Sequence, residues 1–185
     1  MAKVKVLIKG YTNANSAAEE KSCATITLIQ SEKLNIIVDP GVLESQKTIV
    51  DALAKEELDI NNIDFVFLTH SHIDHFRNIG MFPEAKTLEF WGIWDKNKVF
   101  DWQENFNEDI KIIKTPGHSN DGLTFLIKTE NGTVAICGDV FWWENFPEDD
   151  PYAVDMKQLQ ESRKKILDLA DWIIPGHGKM FQTVK

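Results

Sequence analysis

Three histidines and an aspartate fall within seven positions, Thr69-His70-Ser71-His72-Ile73-Asp74-His75. Imidazole nitrogens and carboxylate oxygens at that density repel one another or stay half-satisfied unless a cation collects them. Metal binding is therefore the chemistry expected of the stretch. The chain has five histidines. The remaining two sit in turns where ligands are commonly mounted, Thr115-Pro116-Gly117-His118 and Pro175-Gly176-His177-Gly178. Two aspartates stand in similar settings, Asp39 in Val38-Asp39-Pro40-Gly41 and Asp139 in Gly138-Asp139-Val140.

The elements that must position these groups read as follows. Val4 to Ile8, Cys23 to Ile29 and Leu34 to Val38 have strand character, the last ending at Asp39. A polar loop, Gly10 to Ser22, separates the first two. Ser45 to Leu58 carries Ile49, Leu53 and Leu58 at helical spacing. Asp64 to Leu68 is a strand. Residues i and i+2 of a strand face one side, so His70 and His72 converge if that strand runs past Leu68. A short helix is expected over Phe76 to Gly80. Strands follow at Thr87 to Phe90, Ile110 to Ile113, Leu123 to Lys128 and Thr133 to Ile136. The last two are joined by Glu130-Asn131-Gly132, a hairpin signal. Asp155 to Ala170 reads as a helix and Trp172 to Ile174 as a final strand. No internal repeat or linker divides residues 1–185, and a single domain is expected.

With these motifs quoted, the chain resembles the metallo-β-lactamase-fold hydrolases from Asp39 to Gly178. The resemblance implies an α/β fold, a four-layer αββα sandwich of two mixed β-sheets. It also implies a ligand set: His70, His72 and His118 for one metal, Asp74, His75 and His177 for a second, and Asp139 bridging both. Two oxygens suit a carboxylate to bridging. Nitrogen and oxygen donors without thiolate suit two Zn2+ per chain and admit iron or manganese. Between two such ions a water would be acidified into a hydroxide nucleophile, with Asp74 orienting it. Asp39 either bonds a ligand histidine and fixes its tautomer or is an ordinary Asp-Pro-Gly turn residue. Cysteine often replaces Asp139 in lactamases, and glutamate replaces His72 in the flavodiiron branch. Persulfide dioxygenases share nearly all these residues with a single iron.

A narrower resemblance, to the metallo-β-lactamase domain-containing protein 1 subgroup, rests on Gly138-Asp139-Val140-Phe141, Ser162-Arg163-Lys164-Lys165, Ala170-Asp171, Pro175-Gly176-His177-Gly178 and Phe181. It implies endonucleolytic RNA cleavage, with Lys96, Lys98 and Arg163-Lys164-Lys165 as candidate phosphate contacts. Three alternatives stand beside it: a thioester, ester or lactone hydrolase of glyoxalase II type, a weak β-lactamase, and a mononuclear iron persulfide dioxygenase using His70, His118 and Asp139. A metal-binding module without turnover is opposed by ligands spread over seven residues, since a structural zinc site is closed by four.

Composition sets the remaining bounds. A length of 185 residues and a hydrophobic fraction of 43% support one packed core. The net charge of −9 opposes a stable nucleic-acid partner, leaving a small-molecule or RNA substrate. No apolar run reaches the ~20 residues of a membrane span, and the expected location is cytoplasmic. A monomer or homodimer is expected. Cys137, two residues before Asp139, reads as a small apolar strand residue, with a redox role as the other reading. Trp142, Trp143 and Tyr11 are candidate pocket residues, and Asn145 to Pro151 reads as a solvated acidic loop.

Overall fold

The computed structural model describes residues 1–14, 19–144 and 147–184. Strands β1 (Lys3–Ile8), β4 (Ile26–Ser31), β5 (Leu34–Val38), β6 (Phe65–Phe67), β7 (Lys86–Glu89), β8 (Gly92–Asp95) and β9 (Lys98–Phe100) form one sheet in the order β1-β4-β5-β6-β7-β8-β9. Strands β10 (Ile110–Lys114), β11 (Leu123–Thr129), β12 (Gly132–Ile136), β13 (Trp172–Ile174) and β14 (Phe181–Gln182) form the second in sequence order. Both sheets are mixed: β5-β6-β7 and β12-β13 are parallel, the other pairings antiparallel. A two-strand ribbon, β2 (Tyr11–Thr12) and β3 (Ser22–Cys23), lies within the stretch expected to be loop up to Ser22.

Strand alternation explains the layering. Along β5, Ile36 and Val38 face the opposite sheet and meet Phe125, Ile127 and Ile136, while Ile37 faces outward onto a helix. That helix, α1 (Lys47–Ala54), buries Ile49 and Leu53, four residues apart, against Ile37 and Val66. A second helix, α3 (Met156–Leu169), buries Leu159 and Ile166 against Leu126, Ala135 and Ile173 on the far side. The result is an αββα sandwich. Each fully buried aliphatic side chain contributes roughly 1.5–3 kcal/mol.

Helix boundaries follow from local chemistry. Asp155 caps α3, its side chain accepting from Gln158 N. The expected helix to Leu58 stops earlier. Glu57 takes φ 60°, Glu57 N and Leu58 N bond back to the carbonyls of Ala54 and Leu53, and Leu58 still packs on the α1 core. No helix among the described residues is long and apolar enough to cross a membrane.

The parallel strands do the positioning. β5, β6, β12 and β13 deliver their carboxyl ends to one rim, so Asp39, the histidine cluster, Asp139 and His177 leave the sheets close together. His118 joins them from the β10–β11 connection.

Candidate metal centre

The strand expected to carry His70 and His72 ends at Phe67, so both histidines project from a loop. Asp39 pins that loop: its Oδ1 accepts from Thr69 N at 2.8 Å and its Oδ2 from Thr69 Oγ1 at 2.6 Å. Asp39 has φ 49°, a left-handed conformation that aspartate tolerates. The helix after the motif begins earlier than expected. It is α2 (Ile73–Phe76), entered from an extended His72, and it contains Asp74 and His75; a 3₁₀ turn follows over Ile79–Met81.

The ring nitrogens facing away from the centre are each held. His75 Nδ1 donates to Asp39 Oδ2 at 2.8 Å and His118 Nδ1 to Asp150 Oδ2 at 2.8 Å. His177 Nδ1 donates to the Cys23 carbonyl at 3.0 Å, and His70 Nδ1 lies 3.1 Å from Thr69 Oγ1. Such contacts place the proton on Nδ1 and leave the Nε2 lone pair pointing inward. His72 differs, presenting Nδ1 at 3.0 Å from His118 Nε2.

Inward, the donors crowd together. His75 Nε2 and His177 Nε2 each lie 3.2 Å from Asp139 Oδ1, and His118 Nε2 lies 3.4 Å from Asp139 Oδ2. His177 Nε2 is 3.6 Å from Asp74 Oδ2, which accepts from Ser22 Oγ at 2.6 Å. Despite this proximity, His70 Nε2, His75 Nε2 and Asp139 Oδ1 are buried without a hydrogen-bond partner. Buried lone pairs left unsatisfied within one cluster fit bound cations. Two groups emerge, His70, His72, His118 and Asp139 in one and Asp74, His75 and His177 in the other. Asp139, a member of the first group, also lies 3.2 Å from His75 Nε2 and His177 Nε2 of the second.

The same geometry governs proton affinities. Burial pushes Asp139 up, but the neighbouring His177 and His75 outweigh it and hold the carboxylate well below its ordinary range. Burial pushes His75 down, yet Asp139 and Asp39 raise it well above 6.5. His177 is also raised, Asp139 overcoming burial. Burial and the neighbouring His75 lower His70 well below its usual value, and burial with His118 lowers His72. Protons are thus drawn to His75 and His177 beside Asp139 and kept off His70 and His72.

A cavity of about 470 Å3 opens over this cluster, walled by Val42, Ile73, Trp142, Tyr152 and Glu20. Of the three candidate pocket residues, Trp142 lines it; Trp143 and Tyr11 do not. Trp143 packs instead against Gly178 and Tyr11 stands exposed on β2. The acidic loop meets expectation in part, with Glu148 and Asp149 exposed. Asn145 and Phe146 lie outside the described residues, and Asp150 is buried as the partner of His118 rather than solvated. Asp150 was not legible, being 32 residues from His118 within an ordinary acidic run. Both cysteines are free and buried, and burial pushes the Cys137 thiol far up, as befits an apolar strand-end residue.

The candidate phosphate contacts lie elsewhere. Arg163 is buried and donates from Nε to the Val140 carbonyl at 3.0 Å. Lys164 pairs with Asp168, Lys165 Nζ donates to the Lys114 carbonyl, and Lys96 and Lys98 belong to the β8–β9 hairpin.

Comparison with known proteins agrees with this geometry. The family model of the metallo-beta-lactamase superfamily matches residues 24–98. The chain is 30% identical to metallo-beta-lactamase domain-containing protein 1 of Xenopus laevis, over 98% of this chain and 82% of that protein. It is 28% identical to hydroxyacylglutathione hydrolase GloC of Haemophilus influenzae, over 87% of each. A solved N-acyl homoserine lactone hydrolase, with N-hexanoyl-L-homoserine at its catalytic metal centre, shares the fold at TM-score 0.68 and 16% identity, covering 95% of this chain and 92% of that one. The ordered motifs, the αββα layers and the two clusters at one sheet rim have a common explanation: the chain belongs to the metallo-beta-lactamase superfamily and is a hydrolase of that fold.

Proposed function

We propose that the protein is a two-metal hydrolase that cleaves a thioester, ester or lactone. The observation that carries this reading is the convergence of unsatisfied His70 Nε2, His75 Nε2 and Asp139 Oδ1 beneath one open cavity. His70, His72 and His118 would hold one ion, Asp74, His75 and His177 the other, with Asp139 shared. The donor set suits zinc and accepts iron or manganese. Bound ions there supply Lewis acidity and lower the pKa of water.

The chain's own groups do the rest. Asp74, which lines the cavity and accepts from Ser22 Oγ at 2.6 Å, orients the attacking water and takes up its proton. Asp39, Asp150, Thr69 and the Cys23 carbonyl hold four imidazoles in one tautomer, so little reorganisation accompanies reaction. Trp142 and Ile73 cover the acyl portion and exclude water.

The names of two relatives favour carbonyl chemistry, one a hydroxyacylglutathione hydrolase and the other an acyl homoserine lactone hydrolase. RNA cleavage has no comparable support, because none of Lys96, Lys98, Arg163, Lys164 and Lys165 lines the cavity. A single-iron dioxygenase would leave the Asp74, His75 and His177 group without a purpose. The test is a panel of thioester, lactone, β-lactam and RNA substrates, run with metal-loaded protein and again after chelation. Chelator-sensitive cleavage of a thioester or lactone is expected; cleavage of RNA with both carbonyl classes inert would overturn the proposal.

A further inference from the structure

The cavity wall has a charge pattern that the hydrolytic chemistry does not require. Outside the metal cluster, Glu20 is the charged group among the described lining residues, and none of these is a lysine or arginine. Segments 15–18 and 145–146, the undescribed residues nearest the lining ones in sequence, contain neither residue type, and Lys185 is the one lysine outside the described residues. Lys21 follows Glu20 directly but does not line the cavity.

Glu20 is held in place. Tyr152 Oη donates to its carboxylate, 3.0 Å from Oε1 and 3.1 Å from Oε2. The contact joins segments 132 residues apart. Beside it, the Tyr152 ring stacks on Trp142 with centroids 5.8 Å apart at 23°. Tyr152 N donates to Asp150 Oδ1 at 2.9 Å, and Asp150 Oδ2 accepts from His118. On the other side, Lys21 N donates to Asn13 Oδ1 at 2.5 Å and Asn13 Nδ2 to the Glu19 carbonyl at 3.2 Å, anchoring the turn that bears Glu20. A negative charge is therefore fixed over an aromatic wall that is tied to the metal cluster.

We propose that Glu20, held by Tyr152, is a specificity-determining residue that restricts the cavity to substrates uncharged beyond the scissile bond and disfavours those bearing carboxylates or phosphates there. The inference rests on the thioester, ester or lactone reading and narrows it. Metal ions held by the histidine and aspartate cluster would polarise the reacting carbonyl whatever the rest of the molecule carries. The remainder of the substrate meets Trp142, Ile73 and Val42, which bind apolar groups, and Glu20, which repels anions at short range. A tripeptide thiol ester with two carboxylates would meet that repulsion with no lysine or arginine among the described lining residues to offset it.

The test uses two thioesters of one acyl group, one on uncharged N-acetylcysteamine and one on glutathione, with hydrolysis-resistant thioether analogues of each. Rates are read as kcat/KM, and binding of the thioethers by tryptophan fluorescence of metal-loaded protein. The native chain is expected to favour the uncharged member by on the order of tenfold in both readouts. Glu20→Gln should shrink the ratio with Tyr152 still able to donate, and Glu20→Lys should reverse it, at unchanged metal content. Equal or tighter binding of the glutathione thioether by the native chain, no binding of either thioether, or a ratio unmoved by both substitutions would overturn the proposal. Selective thioether binding without thioester cleavage would instead refute the hydrolase reading and leave the charge filter standing.

Discussion

Asp139 carries a charge that three histidines compete for, and the neighbouring imidazoles are stable at such density because other residues take up their outer protons. Asp150 illustrates the second point. Replacing it with alanine frees His118 Nδ1 from its 2.8 Å contact and lets the ring turn. We expect Asp150→Ala to weaken metal affinity roughly 10- to 100-fold, measured by competition with a chromophoric chelator; unchanged affinity would remove Asp150 from the account. Proton competition adds a directional expectation. His75 and His177 hold protons above 6.5, while His70 and His72 release theirs below it. A protonated imidazole cannot ligate, so metal occupancy should fall as pH drops. Metal release followed against pH checks this, and occupancy unchanged or rising on acidification would contradict it. At this scale the sequence was legible where function concentrates unusual residue types. The five histidines and Asp74 stood out by type and setting, Asp139 through the family resemblance, and Asp39 through that resemblance and its turn. Asp150, Thr69, Glu20 and Tyr152 did not, because their roles arise from contacts between distant segments built from ordinary polar residues.

The ends of strands, rather than their interiors, place the chemistry. The apolar runs of β5, β6, β12 and β13 were readable because consecutive residues of these strands are buried on both faces. The loop geometry beyond them was not readable. His70 and His72 converge through hydrogen bonds to Asp39, which a period-two pattern does not encode. The β8–β9 hairpin escaped notice for a related reason. It is an edge element with Trp94, Val99 and Phe100 exposed, so its residues lack the inward-outward alternation of a buried strand. Close approach of loops at the rim sets another testable constraint. A Cβ on Gly176 would lie 1.8 Å from Asp139 Oδ1. Gly176→Ala should therefore displace Asp139 and cost about 1–3 kcal/mol of stability, read by urea unfolding, together with loss of metal. Native stability and metal content in that variant would contradict the packing described.

Taken as a whole, the molecule shows a division of labour between two sheets. The core between them is hydrophobic and was legible as a class of fold, but strand order depends on pairings across long separations that periodicity leaves open. The net charge of −9 is spread over an acidic surface and includes the carboxylates that meet the cavity, in keeping with a small carbonyl substrate rather than a polyanion. The central claim is one dinuclear centre shared through Asp139. Its most direct test is metal content by mass spectrometry on the native chain and on Asp139→Asn, with circular dichroism to verify the fold. Two ions per native chain, and loss of at least one from the folded variant, are predicted. Two ions retained in folded Asp139→Asn, or a single ion in a fully active native chain, would contradict it.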